Sequence, residues 1–392
     1  MNILYIVQSN PLNISYGSAQ RTNHLWNALK QCGNVYTALI VSPNDNLIND
    51  ENNNIRSFVL VPKTCIGMHL WSYFARLVSP AIWPFQSISY VKKQLPWKNI
   101  HFDYVVVRYL RHVIFSQAWK IGPCYVDIDD LPSESFETIT KIHYSKFLGI
   151  LLSKYVKIWQ SRILKNCKGA WIANPQQVPY VKKYCNCMHL SNIAISPSNE
   201  YNVTGNQKKQ LMTIGLMSYP PNYEGINWFL ENVWIDLHKK YPELNYMIAG
   251  RGLPQQYNNI WKKYPNVFIL GYVEKLEKLY EESLAVVTPI LSGSGTCIKV
   301  QEACLYGRKV FSTKFAVRGL DRNALSELEI DIFSNKDDFL SMFSDWYDKK
   351  SMDNTYTNNI SNKAIKYINN NEFENSVKYF FSLDSKNNDS NK

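Results

Sequence analysis

A chain of 392 residues is long enough for two domains with separate cores, and its 43 Lys+Arg against 32 Asp+Glu give a formal net charge of +11. No run of eighteen apolar residues occurs, which excludes a membrane-spanning helix, and eight scattered cysteines without a CxxC pair point to reduced cytosolic thiols rather than a zinc or disulfide framework. Residues 1–200 hold 20 Lys+Arg and 10 Asp+Glu, whereas 201–392 hold 23 and 22, so the basic excess lies in the first half and implies an anionic partner: membrane surface, lipid diphosphate or nucleic acid.

The N-terminus, MNILYIVQSN, has no basic leader and no small-residue cleavage site. It is expected to be a first strand, not a secretion signal. A loop containing Gly17 and Arg21 follows and leads into a helix with Leu25, Trp26, Ala28 and Leu29. The loop carries no GxGxxG, which argues against a nicotinamide or flavin dinucleotide site. Val35–Val41 reads as a second strand and Asn44–Asn54 as a polar loop. Cys65–Pro96 interleaves aromatic and basic residues, suiting a membrane interface, a lipid acceptor groove or a buried helical insertion.

Phe102–Val107 is expected to be a strand ending at Arg108, with Arg111 just beyond; Cys124–Ile128 is another, running into Asp127, Asp129 and Asp130. Ligands of doubly wound sheets bind beyond the carboxyl ends of strands, so these carboxylates are expected to look into a cleft. Asp127-Ile128-Asp129 matches the DxD of metal-dependent enzymes, but three residues are a weak match and a metal site is not inferred. Asp130 suits a cap on the Leu131-Pro132-Ser133 turn.

Residues 141–168 carry seven Lys or Arg and no Asp or Glu, set against Phe147, Leu148, Leu151, Leu152, Tyr155, Trp159 and Ile163. The product is a basic amphipathic helix, either on a membrane surface or packed as an ordinary sheet-covering helix with a solvated lysine face. Gly169–Asn174 reads as a strand, and the polar run 196–210 as a linker, placing an N-terminal domain at 1–200 and a C-terminal one at 201–383.

In the second half, Leu211–Leu216, Asn245–Ala249, Val267–Tyr272, Leu284–Val287, Lys309–Thr313 and Asp331–Phe333 read as strands separated by helical segments. Residues 384–392 are polar and expected to be disordered. The most informative stretch is Leu284–Gly307, LAVVTPILSGSGTCIKVQEACLYG: strand, Gly-rich loop (Gly293, Ser294, Gly295, Thr296), then helix. Such a loop and helix start favour a phosphate. Lys299 and Glu302, one turn apart on one helix face, suit a nucleoside diphosphate, the lysine taking charge and the glutamate accepting from ribose hydroxyls, or form an ordinary surface pair.

The run GSGTCIKVQEA, with Gly307, Val310-Phe311-Ser312-Thr313 and Gly319-Leu320 after it, resembles the donor segment of retaining glycosyltransferases of family 4. That resemblance implies the GT-B architecture, an α/β fold of two Rossmann-like doubly wound domains facing each other across a cleft, with the last helix crossing back to the first domain. It implies a metal-independent transfer from a nucleotide sugar, with no cofactor. It places Gly17 near the donor diphosphate with Arg21 as a phosphate contact, and Asp129 near the transferred sugar with Asp127 and Asp130 as neighbours. Arg21, Arg108 and Arg111 are then acceptor-side or secondary candidates. Catalytic roles fall to Asp129, Lys299 and Glu302, and donor binding to Gly17, Arg251, Gly293, Ser294, Gly295, Thr296, Lys299 and Glu302. The sequence departs from the family in two places. Ser294 stands eight residues before Glu302, where many members have a first glutamate, and Met217 and Asn222 stand where many hold a basic pair. Arg251 or Lys299 is then expected to supply the charge.

The reading is a cytoplasmic glycosyltransferase, peripheral on the inner face of the plasma membrane if residues 141–168 touch anionic lipid. Its acceptor is a glycan or lipid-linked, as in capsule, O-antigen or exopolysaccharide synthesis. Its rivals are an inactive glycan-binding or scaffold subunit and a nucleotide-sugar epimerase; nucleic-acid binding explains the charge but not the loop.

Overall fold

The computed structural model describes residues 1–14, 17–42, 45–60, 88–134, 146–195, 207–292, 297–318, 320, 322–350, 354–368 and 370–389. Most of Cys65–Pro96 and the loop residues Gly293, Ser294, Gly295 and Thr296 lie outside them. The chain divides into two compact units: Met1–Asn192 with Asn370–Lys392, and Ile193–Asn369.

The first unit is built on an eight-stranded sheet. Its strands are β1 (Asn2–Val7), β2 (Asn34–Ile40), β3 (Asn49–Asp50), β4 (Ile55–Phe58), β5 (Tyr104–Arg108), β6 (Cys124–Ile128), β7 (Gly169–Ile172) and β8 (Asn186–His189). Their order is β3-β4-β2-β1-β5-β6-β7-β8, and every pairing is parallel except that of β3 with β4. Ile3 to Val7, Val105 to Val107, and Tyr125, Val126 and Ile128 are buried, the apolar pattern of strands covered on both faces, broken only by the buried Asp127. β3, β4 and β8 are the strands that sequence pattern did not supply. Each is four residues or fewer and at least half polar, and β3 and β8 lie at the sheet edges, so they carry almost no hydrophobic periodicity.

The helix Gly17–Lys30 packs against the last helix, Asn370–Asp389. Phe380 and Phe381 of that last helix meet the rings of Tyr125 and Trp171 edge-on, at centroid distances between 5.2 and 5.7 Å, which ties the chain's end to the first sheet. The helix continues to Asp389, whereas a disordered tail was expected from residue 384. Once the turn bearing Phe380 and Phe381 is packed, extending a helix through polar residues needs no new nucleus.

The second unit has six strands, all parallel: β9 (Gln210–Ile214), β10 (Asn245–Ala249), β11 (Val267–Gly271), β12 (Ala285–Thr288), β13 (Lys309–Ser312) and β14 (Asp331–Ile332). The order is β11-β10-β9-β12-β13-β14. The core gathers Phe229, Trp234, Tyr246, Phe311, Phe339 and Phe343 around β9, β10 and β13. In each sheet the strand order reverses direction at one place, between β1 and β5 in the first and between β9 and β12 in the second. At such a switch, crossover connections leave the sheet on opposite sides and open a crevice beyond the carboxyl ends.

Candidate functional site

At the β9/β12 switch of the second unit, β12 ends in Thr288 and the helix Ile298–Leu305 returns from the Gly-rich loop. Six of its eight side chains are fully buried; the two that are only partly so are Lys299 and Glu302. Lys299 Nζ donates to Asn222 Oδ1 at 2.7 Å, and Asn222 Nδ2 donates in turn to the carbonyl of Leu216 at 2.8 Å. Asn222 sits in the first turn of the helix Pro220–Phe229, whose two leading prolines are pre-set for helical φ and forgo N–H groups that would have no helical partner there. Burial lowers the Lys299 ammonium below its ordinary pKa, against the opposing influence of Cys297 and Glu302.

Glu302 is oriented from a different element. Tyr280, on the helix Leu276–Glu282, donates its hydroxyl to Glu302 Oε2 at 3.3 Å. Its ring is stacked on Tyr306, centroids 4.3 Å apart and planes 5° from parallel. Tyr280 is fully buried, and that burial, with the Glu302 carboxylate beside it, raises its pKa well above the ordinary phenol value. It therefore stays a donor.

The floor of this crevice is backbone. Gly250, at φ 148°, donates to the Gly271 carbonyl at 2.7 Å, and a Cβ there would stand 1.8 Å from the Gly215 carbonyl oxygen. Only glycine permits that approach. Met217 N–H donates to the Arg251 carbonyl at 2.9 Å, and Arg251 itself is exposed at the carboxyl end of β10. Of the two residues standing in place of a basic pair, Met217 is buried in the core and Asn222 holds Lys299.

In the first unit the expected residues form a network of a different kind. Arg21 reaches Asp127 with two donors, Nε to Oδ2 at 3.0 Å and Nη2 to Oδ1 at 2.6 Å; its Nη1 donates to the Leu190 carbonyl at 2.8 Å and to Asn192 Oδ1 at 2.9 Å. Arg108 Nη1 donates to Asp127 Oδ2 at 2.6 Å and to Asp129 Oδ1 at 3.0 Å, while its Nη2 reaches Asp129 Oδ2 at 3.0 Å. Arg21, Arg108 and Asp127 are buried; Asp129, at 22% exposure, is the member that reaches the surface. Two guanidinium groups and two carboxylates balance.

This geometry corrects two expectations. Arg21 does not offer its guanidinium to a phosphate, because its Nε, Nη1 and Nη2 atoms are engaged within the protein. Asp127 does not look into a cleft, because an unpaired buried carboxylate is costly and both arginines close on it. Burial alone would raise the Asp129 carboxyl, but Arg108 and Arg21 outweigh it and hold it below the usual carboxylate range. Asp129 is thus an anion and hydrogen-bond acceptor at neutral pH.

Tyr109 was not singled out by sequence. It sits at φ 70°, ψ 135°, a strained conformation for a side-chain-bearing residue, directly after β5. Its N–H donates to the Asp127 carbonyl at 2.9 Å, the Arg108 guanidinium lies 4.5 Å from its ring, and Arg108 Nη2 is 3.3 Å from its hydroxyl. Arg111 donates to Gln8 Oε1 and lies 5.5 Å from the same ring. Gly17 opens the first helix, and the carbonyl of Ser18 after it accepts from Arg108 at 3.2 Å. The turn after Asp130 has its Leu131 and Ser133 N–H groups donating to Gln177 Oε1 and Gln160 Oε1.

The fold is GT-B. The chain is similar to sucrose-phosphate synthase from Thermosynechococcus elongatus (TM-score 0.67, 12% identity, 97% of this chain and 98% of that one). It is also similar to Anabaena Alr3699/HepE, solved in complex with UDP-glucose (TM-score 0.61, 12% identity, 98% and 100%). At such identity the likeness concerns the fold. Residues 208–330, the part of the second unit that holds Asn222, Tyr280, Lys299 and Glu302, match the model of the family described as Glycosyl transferases group 1. An uncharacterized 44.6 kDa protein in the cps region of Klebsiella pneumoniae is 21% identical over 202 residues, which span 50% of this chain and 48% of that relative.

Proposed function

We propose that the chain is a retaining, metal-independent glycosyltransferase that moves a sugar from a nucleoside-diphosphate sugar to a glycan or lipid-linked acceptor. The observation that carries the reading is the presentation of Lys299 and Glu302, alone among eight helix residues, at the β9/β12 switch. The family match over residues 208–330 and the UDP-glucose bound by a protein of the same fold support it. The relative from a cps region supports a place in surface-polysaccharide assembly, which we assign to the cytoplasmic face of the membrane.

In this reading the leaving diphosphate gathers negative charge as the glycosidic bond breaks. Lys299 supplies a fixed cation for it, and the helix start adds N–H dipoles, so charge is stabilised without reorganisation. Glu302 accepts from the ribose hydroxyls and sets the nucleoside in register with Lys299. Asp129, held anionic by two arginines, accepts a hydroxyl hydrogen bond from sugar or acceptor; its depressed pKa makes it a weak base, which suits front-face attack assisted by the departing phosphate.

The test is a thermal-shift screen of the purified chain against UDP, GDP, CMP, ADP and dTDP, with and without EDTA. Stabilisation by one nucleoside diphosphate, unchanged by EDTA, is expected, since a ligand at a hundred times its Kd adds about 2.7 kcal/mol. No shift with any of them would remove the transferase reading in favour of a non-catalytic subunit.

A further inference from the structure

The helix Lys146–Leu164 of the first unit takes no part in either cluster above. Its inward face carries Val156, Gln160, Ile163 and Leu164, which are buried; Ile163 and Leu164 join the core of the first sheet, and Gln160 accepts from the Ser133 N–H. A sheet-covering helix is ordinarily polar on its other face. Here the outward face carries Ile150 at 42% exposure, Leu151 at 48%, Tyr155 at 36% and Ile158 at 52%. Leu151 and Tyr155, which only the sheet-packed alternative of the sequence reading would turn inward, point out.

The same face bears Lys154, Lys157, Arg162 and Lys165, all exposed. The patch extends to the next element. Tyr180 donates its hydroxyl to the Lys157 carbonyl at 3.3 Å, and Lys157 Nζ lies 5.3 Å from the Tyr180 ring, which brings the exposed Lys182 and Lys183 alongside. The stretch itself supplies only one sign of charge: from Thr138 to Asn199 the chain has nine Lys or Arg and not one Asp or Glu, and Glu134 beside it is engaged by Gln177 Nε2 at 2.6 Å.

We infer that this helix face, with Lys182 and Lys183, docks the protein on an anionic lipid bilayer, lying in the plane of the interface. A solvated lysine face needs no aliphatic side chains, and a nucleic acid or other polyanion gains little from three of them. A bilayer uses both. The aliphatic groups enter the headgroup and acyl boundary while the lysine stems extend to the phosphates above it. Among the described residues no helix is long and apolar enough to cross a membrane, so the contact is superficial.

The experiment is flotation of the purified chain with vesicles of phosphatidylcholine alone or with about a third phosphatidylglycerol. Wild type is expected to float with the anionic vesicles only and to be released by high salt. The double variant Lys154→Gln/Lys157→Gln should bind about 25-fold more weakly, from about fivefold per lysine near an anionic surface. The double variant Ile150→Ser/Ile158→Ser should lose on the order of tenfold or more on vesicles and nothing on heparin. All four positions are exposed, and an unchanged melting temperature confirms folding. Absence of flotation by wild type, or equal flotation of the isoleucine variant, overturns the inference; the second outcome, with heparin competing fully, would make the patch a polyanion site. Flotation needs no nucleotide, so its result and that of the nucleotide screen stand separately.

Discussion

Lys299 donates to Asn222 across 77 residues of chain, and that bond fixes the ammonium of the second unit's site at the end of β9. The lysine is already costly to hold because burial works against its charge, and Asn222 offers it a neutral acceptor that leaves the charge intact. Replacing Asn222 by Asp should therefore raise the Lys299 pKa but cancel its field toward a diphosphate, lowering nucleoside-diphosphate affinity by roughly tenfold. Lys299→Met should abolish the shift seen with the cognate nucleotide. Because the lysine's pKa is lowered, its cationic form is lost on the alkaline side earlier than for an ordinary lysine. As pH rises, affinity measured by calorimetry should start to drop in wild type before the ordinary lysine value of 10.5 is reached, and in Lys299→Arg it should not.

The Tyr280 hydroxyl orients Glu302 while its ring stacks on Tyr306, so Tyr280→Phe separates the two roles. Stacking and burial persist, and the melting temperature should change by the equivalent of about 1 kcal/mol. Donor KM should rise several-fold with kcat affected less, in the same direction as Glu302→Ala. A 2′,3′-dideoxy nucleotide, which offers Glu302 no ribose hydroxyl, should bind wild type and Tyr280→Phe alike. If the variant weakens both nucleotides equally, Tyr280 serves only the fold.

How much of this was legible beforehand depends on the range of the contact. The strand and helix around Leu284–Gly307 are close in sequence, so spacing alone put Lys299 and Glu302 one turn apart on one helix face, while leaving open whether they meet a ligand or form an ordinary surface pair. The expected α/β alternation likewise gave parallel sheets. Arg21 and Asp127 are 106 residues apart, and nothing local distinguishes an arginine paired inside the fold from one awaiting a phosphate. The same holds for Tyr280 and Glu302, and for Asn222, read as a vacancy where it is a partner. Exposure of Leu151 and Tyr155 was hidden for another reason: helical spacing fixes a stripe of residues, but which of two apolar stripes meets the sheet is decided by the sheet.

The arginine–aspartate network predicts an asymmetry between its two carboxylates. Asp127 is buried between two guanidinium groups, so Asp127→Asn leaves excess buried positive charge and should cost about 3–5 kcal/mol in urea unfolding. Asp129→Asn, at the partly exposed end, should cost less and reduce transfer more. For Asp129 itself the folded pKa lies below the unfolded value. Its contribution to stability is complete above about pH 4, and is lost as pH falls through the depressed folded value.

His112 supplies an acid sensitivity of the opposite origin. Its Nδ1 lies 2.7 Å from the Arg108 carbonyl, so it carries the proton there as a neutral ring, and burial, with Arg111 and Arg108 nearby, lowers its pKa to about 3. The unfolded chain takes up this proton near pH 6.5, and the folded chain resists until about 3. Between those values the unfolded state binds more protons, so stability falls with falling pH at up to about 1.4 kcal/mol per unit. His112→Asn can keep a donor toward the Arg108 carbonyl without a titrating ring. Its unfolding free energy should therefore be flatter than wild type from pH 6.5 to 4, and parallel curves for the two proteins would show that some other group sets the acid limit.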